Sequence, residues 1–220
     1  RLLDGDGRVE LAKQDGEDAG AGETIAVVEG SARALLTGER TALNLLGRLS
    51  GIATATRSVV ERLAGLKTRV ASTRKTTAGL RALEKYAVCA GGGQSHRYGL
   101  DDAVLIKDNH IALAGGIAEA VRRARSGASH LLRIEVEVDT LEQLEQALAL
   151  GVDAVLLDNM DLATLREAVR RCAGRAFTEA SGGIRPDNVR AVAETGVDLV
   201  SLGWLTHSAP ALDVALDVER

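Results

Sequence analysis

Residues 132–159 read LRIEVEVDTLEQLEQALALGVDAVLLDN, and this stretch decides the fold. Alternation from Leu132 to Val138 puts Ile134, Val136 and Val138 on one face and Glu135 and Glu137 on the other, the period of a strand. Leu141 to Leu150 then places leucine and alanine at helical spacing. Gly151 ends that helix, and Ala154 to Leu157 is a continuous aliphatic run of the kind found in buried parallel strands. A strand, a crossover helix and a second strand make a βαβ unit.

The same rhythm extends in both directions. Further strands are expected at Thr68 to Thr73, Ala103 to Lys107, Ala176 to Ala180 and Leu199 to Leu202, with helices at Gly116 to Arg125, Leu162 to Cys172 and Pro186 to Thr195. Six such units over the last two thirds of the chain fit a closed or nearly closed TIM-like (β/α) barrel better than an open doubly wound sheet, whose glycine-rich first turn is missing. Ahead of it, Val9 to Lys13 and Thr24 to Val28 form a small β unit. Ser31 then caps a helix that Gly51 is expected to break, a second helix following to Leu63. The expected division is residues 1–50 as part of an N-terminal α/β-sandwich domain, 51–204 as the barrel, and 205–220 as a segment packing back on the first. Residues preceding Arg1 in the natural protein are expected to complete the first domain.

Composition bounds the function. The chain has 220 residues, 45% hydrophobic and 26% charged, which describes an ordinary globular protein. Its 27 basic and 31 acidic side chains argue against broad attraction to nucleic acid or membrane, and 2% aromatic residues leave no stacking platform for bases. Apolar runs fall far short of the ~20 residues that cross a bilayer. A cytoplasmic protein is expected. Cys89 and Cys172 lack metal-ligand spacing and read as reduced, buried thiols.

Polar residues gather at the C-terminal strand ends, the rim where barrels of this class place their active sites: Thr73-Arg74-Lys75, Lys107-Asp108-Asn109-His110, Glu135-Val136-Glu137, Asp158-Asn159, Glu179 to Gly183, and Gly203. Arg74, Lys75, His96, Arg97 and Lys107 form a cationic group suited to carboxylates and diphosphate, unless they serve only to pair with Glu135, Glu137, Glu179 and Asp158. Arg40, on the preceding helix, joins only from elsewhere. Glu137, nearer the rim, suits sugar hydroxyls or developing positive charge at a sugar carbon; Glu135, lower down, is expected to pair with a lysine. Asp158 suits either duty. Ser181-Gly182-Gly183 and Leu202-Gly203-Trp204 lie on the last two βα loops, where backbone N–H groups commonly hold phosphate, although a plain tight turn explains the glycines as well.

Taken in order, the runs Glu39 to Asn44, Thr73 to Thr77, Leu80 to Tyr86, Gly91 to Gly93 with His96-Arg97, Ile106 to His110, Glu135 to Val138, Leu157 to Asn159, Glu179 to Gly183 and Leu202-Gly203 resemble the quinolinate phosphoribosyltransferase family over about Gly22 to Asp217. The resemblance implies phosphoribosyl transfer from phosphoribosyl diphosphate to quinolinate with decarboxylation. It implies that Arg74, His96 and Arg97, with Arg40 from a neighbouring subunit, grip quinolinate, and that Lys75 and Lys107 neutralise diphosphate and the reacting centre. Glu137 and Asp158 would hold the ribose, and Ser181 to Gly183 with Leu202 to Trp204 the 5-phosphate. Mg2+ arriving with phosphoribosyl diphosphate, and a homodimer or hexamer with shared sites, belong to the same expectation. Trp204 departs from the smaller residue usual there. Other readings are a Schiff-base aldolase using Lys107 or Lys75, a molybdate-associated paralogue, and a catalytically silent anion-binding module.

Overall fold

A computed structural model describes residues 3–218. Strands β1 (Arg8–Leu11) and β2 (Ala26–Glu29) pair antiparallel as a ribbon, followed by the 31-residue helix α1 (Ala32–Arg62). Then come β3 (Arg69–Ala71), α2 (Arg81–Ala90), β4 (Val104–Ile106), α3 (Asp108–Ala114), α4 (Ile117–Gly127), β5 (Ile134–Val138), α5 (Leu141–Ala149), β6 (Ala154–Asp158), α6 (Leu162–Cys172), β7 (Phe177–Ser181), α7 (Val189–Ala193), β8 (Leu199–Ser201) and α8 (Trp204–His207).

The six later strands form one parallel sheet in the order β3-β8-β7-β6-β5-β4. Within the described residues β3 and β4 do not pair. Gln94 instead flanks β3, its N–H donating to Val70 O at 2.7 Å and its carbonyl accepting from Ser72 N at 3.1 Å. The barrel is therefore TIM-like and incomplete, open between the Gln94 segment and β4.

Strand alternation divides the sheet into two faces. Val136, Val138, Val155, Leu157, Ala180 and Val200 join the main hydrophobic cluster with Leu144, Leu165 and Val189 from the helices outside. Each buried valine or leucine among them is worth about 1.5–3 kcal/mol of transfer free energy. Their sequence neighbours Glu135, Glu137, Leu156, Asp158, Glu179 and Ser181 take the opposite face, within the barrel, so the sheet that builds the core also delivers the polar groups to one place.

The expectation of a break at Gly51 is corrected. Helix α1 runs through it, with Ser31 Oγ accepting from Ala34 N at its start as the sequence suggested. The chain after α8 crosses α1 here: Leu212 N donates to Gly47 O at 2.9 Å, and a Cβ at Gly51 would collide with the carbonyl oxygen of Pro210. Glycine costs the helix roughly 1 kcal/mol relative to alanine, and close packing of the crossing segment offsets that cost. The expected helix Pro186 to Thr195 shortens to α7. The expected outer divisions also contain residues 1–2 and 219–220, which lie outside the described residues.

Candidate active site

The loop after β3 carries Thr73, Arg74 and Lys75, and buried polar bonds fix its course. Glu84 of α2 is wholly buried and accepts from Thr77 N at 3.0 Å, Thr77 Oγ1 at 2.7 Å and Arg48 Nη2 at 3.0 Å. Arg48, on α1, also donates to the carbonyls of Thr206 and Ala209, while Thr206 Oγ1 donates to Lys75 O at 2.7 Å. Thr73 Oγ1 accepts from Lys75 N at 3.1 Å. Helices α1, α2 and α8 thus hold the turn that presents the two cations. Neither Arg48 nor Glu84 was singled out from sequence, yet the signal existed: the helical period puts Glu84 and Lys85 on the buried face of α2 with Ala87 and Val88.

Arg74 Nε is buried without a hydrogen-bond partner among the described residues. An unpaired buried donor of a guanidinium is costly, and an anionic ligand would satisfy it. Arg97 is half-buried nearby; burial first, and then the neighbouring Arg74, disfavour its charge. Lys85 is buried, donating to His96 O at 3.1 Å and Ser72 Oγ at 3.2 Å; burial and then Arg81 push its ammonium below the usual lysine range.

His96 differs from its neighbours. Its Nε2 lies 3.1 Å from Glu179 Oε2 and 3.5 Å from Glu135 Oε2. Burial works against the imidazolium, but the two carboxylates outweigh it and raise the group to about 9. The three ligand-type atoms lie within 4.8 Å of one another, and a charged ring would put its Nε2–H where a metal ion would need to sit. The expected lysine partner for Glu135 is therefore corrected: its partner is His96, because the 94–97 segment flanking β3 brings the imidazole to the inner face between β5 and β7. The lysine pairs higher on β5 instead, Lys107 Nζ lying 2.5 Å from Glu137 Oε2.

Asp158 ends β6. Burial, then Glu137 and Asp139, raise its carboxyl above the usual range, while Asn159 Nδ2 donates to its Oδ2 at 2.6 Å. Asn159 has a φ of 51°, and its N–H donates to Ser181 O at 3.0 Å. Gly182 (φ 88°) approaches it so closely that a Cβ would strike the Asn159 side chain. The Ser181–Gly183 loop is thereby tied to the Asp158 strand end. Leu202 is buried, Gly203 half-buried, and Trp204 packs partly buried against the core as the first residue of α8.

The structure thus brings Thr73, Arg74, Lys75, His96, Arg97, Lys107, Glu137, Asp158, Ser181, Gly182, Gly183, Leu202, Gly203 and Trp204 to the C-terminal strand ends or their adjoining loops. Arg40 is exposed on the N-terminal half of α1 and makes no hydrogen bond or ion pair among the described residues. A cavity of about 700 Å³ lies elsewhere, between the ribbon and the start of α1, lined by Leu3, Val9, Val27 and Leu35 among others, and contains none of these groups.

Comparison with known proteins agrees along the whole chain. The family pattern described as "Quinolinate phosphoribosyl transferase, C-terminal domain" matches residues 52–217, and that of the N-terminal domain matches 1–50. A probable nicotinate-nucleotide pyrophosphorylase [carboxylating] of Bacillus subtilis (strain 168) is 50% identical over 217 residues, covering 99% of this chain and 75% of the relative. The Homo sapiens nicotinate-nucleotide pyrophosphorylase [carboxylating] is 46% identical over 197 residues, 87% of this chain and 66% of its own. The crystal structure of nicotinate-nucleotide pyrophosphorylase from Ehrlichia chaffeensis superposes with a TM-score of 0.93 at 44% identity, covering 97% of this chain and 77% of that one. With the incomplete barrel, the cationic rim and these matches in agreement, the chain belongs to the quinolinate phosphoribosyl transferase family.

Proposed function

We propose that the rim transfers the 5-phosphoribosyl group of phosphoribosyl diphosphate to the ring nitrogen of quinolinate, with loss of the 2-carboxylate. The observation that carries this reading is one site with two kinds of sector. Arg74, Arg97 and His96 form a cationic sector with a buried unsatisfied donor. Beside it, Lys107, Glu137 and Asp158 set one cation and two carboxylates at the ends of three adjacent strands. A planar dicarboxylate fits the first sector through guanidinium forks, and a sugar diphosphate fits the second.

The ring nitrogen lone pair forms the new bond to C1 of the ribose as the C1–oxygen bond breaks, and diphosphate leaves with that electron pair. Positive charge growing on the sugar is met by Glu137 and Asp158, and negative charge on the leaving group by Lys75 and Lys107. Alignment by Arg74, Arg97 and His96 supplies rate through proximity. The bond to the 2-carboxylate then breaks, its electron pair staying on the ring carbon beside the now cationic nitrogen; CO2 departs and the carbon takes a proton from solvent. The products are nicotinate mononucleotide, diphosphate and CO2. Ser181 to Gly183 and Leu202 to Trp204 would hold the 5-phosphate through backbone N–H groups.

Asp158 suits a divalent cation: its carboxylate ends a strand at the rim, and its neighbours Glu137 and Asp139 make added positive charge favourable. Mg2+ bound with phosphoribosyl diphosphate would supply charge neutralisation of the leaving diphosphate. Exposed Arg40 fits a role in a neighbouring subunit's site, which would make a homodimer, alone or within a hexamer, the active form. No described helix is long and apolar enough to cross a membrane. Of the two unpaired cysteines Cys172 is buried as expected whereas Cys89 is exposed, and two free thiols accord with a cytoplasmic setting.

The test is turnover with quinolinate, phosphoribosyl diphosphate and Mg2+, following nicotinate mononucleotide and CO2, alongside the same assay with nicotinic acid. Product from quinolinate alone is expected. A folded dimer that turns over neither substrate would refute the reading.

A further inference from the structure

We propose that Glu135 and Glu179 are positioning residues that act jointly on Nε2 of His96, holding it as a permanently charged imidazolium whose Nδ1–H is left to a carboxylate of the substrate. This rests on the quinolinate reading, and it gives His96 the character of a third fixed cation beside Arg74 and Arg97.

The geometry is specific. Glu135 on β5 and Glu179 on β7 flank β6 and converge on one ring nitrogen, at 3.5 and 3.1 Å. One carboxylate would suffice to orient an imidazole through a hydrogen bond. Two nearly buried carboxylates sharing it repel each other unless a positive charge lies between them or one takes a proton; burial pushes the Glu135 carboxyl up and His96 draws it back, so the pair favours the ring's charged form as well as its orientation. No hydrogen bond engages Nδ1 among the described residues. The cations around the ring are Arg97, next in the chain; Arg74, from the loop after β3; and Lys85, from α2, whose Nζ bonds the His96 carbonyl; one further acid, Asp102, faces Arg97 and Lys85. Unbalanced, they would favour a neutral ring, and the second carboxylate offsets them.

The first measurement is an NMR titration of ring-labelled protein, which needs no turnover. Of the four histidines, His96, His110, His130 and His207, the His96 signal is assigned by its loss in His96→Gln. His96 is expected to titrate near 9 in the wild type, and in Glu179→Gln to fall toward the ordinary histidine value of about 6.5. Wild-type titration near the ordinary value overturns the proposal whatever the activity. Wild-type titration near 9 without turnover of quinolinate would sink the functional reading and leave the charge assignment standing.

Kinetics supplies the second readout. At about pH 8 the charged fraction drops from roughly nine tenths to about a tenth if the group moves from 9 to about 7, so the KM for quinolinate should rise about tenfold in Glu179→Gln. The KM for phosphoribosyl diphosphate should stay put, and the quinolinate defect should vanish near pH 6, where the ring is charged in both proteins. Glu179→Asp, which keeps the charge, should restore most of the binding. A loss equal at all pH values and for both substrates would mean a merely structural role and refute the proposal. Should Glu179→Gln not fold, Glu135→Gln tests the same prediction from the more exposed partner.

Discussion

The two sectors of the rim differ in how their charges are satisfied. Around β4 to β6 pairing is local: Lys107 meets Glu137 one to one, and Asp158 takes the amide of Asn159. Around the loop after β3 and the 94–97 segment it is lopsided, with Arg74 Nε unpartnered and His96 holding two carboxylates. A sector whose one cation is already paired must give up that ion pair when ligand arrives, whereas a sector with an orphan donor gains hydrogen bonds at once. The first kind suits charge that appears only as a bond breaks, and the second suits an anion bound in the ground state.

The largest expected effect breaks the second sector. Arg74→Met should lower kcat/KM for quinolinate on the order of 10³-fold, since truncating one partner of a buried charged contact costs 2–5 kcal/mol or more. Steady-state kinetics would show it, and a loss under about tenfold would mean that the orphan donor does not face the substrate.

Next, the two glutamates of β5 should part company. Glu137→Ala should depress kcat by about 10²-fold, the scale of removing one transition-state electrostatic contact. Glu135→Ala, compared at equal folded fraction, should cost about tenfold or less and appear mainly in the quinolinate KM. Equal losses in kcat would erase the distinction between the sectors.

A control outside both is Gly51→Ala. Collision with Pro210 should destabilise the fold by about 1–3 kcal/mol, the usual range for overpacking. Thermal unfolding would report a drop of a few degrees. Activity per folded molecule should hold, because α1 meets the rim through Arg48 rather than through Gly51.

The smallest effect sharpens the first sector. A double-mutant cycle on Lys107 and Glu137 should give a coupling in stability under about 1 kcal/mol, because the Lys107 side chain is 45% exposed and solvent screens the pair. A larger value would show the pair serving the fold rather than waiting on ligand.

Much of this was legible in the chain. Alternation at Ile134 to Val138 foretold both the strand and the two inward glutamates, since a period of two is fixed by backbone geometry. Strand ends carrying Arg74, Lys107 and Asp158 marked the rim for the same local reason. The long helix was misread at Gly51, because a glycine that weakens a helix and one that admits a crossing strand of backbone look alike until the crossing segment, about 160 residues away, is in place.

By itself, then, the sequence determined the βαβ rhythm, the inventory of rim charges and the family to which they belong, all of which follow from short-range periodicity and ordered motifs. Pairing was decided by the tertiary structure. Only when Gln94 adds beside β3 does His96 come between Glu135 and Glu179, and only when α1, α2 and α8 meet do Arg48 and Glu84 lock the Arg74–Lys75 turn. Partners of a buried charge are chosen by distances between residues far apart in the chain, and local pattern carries no information about those distances.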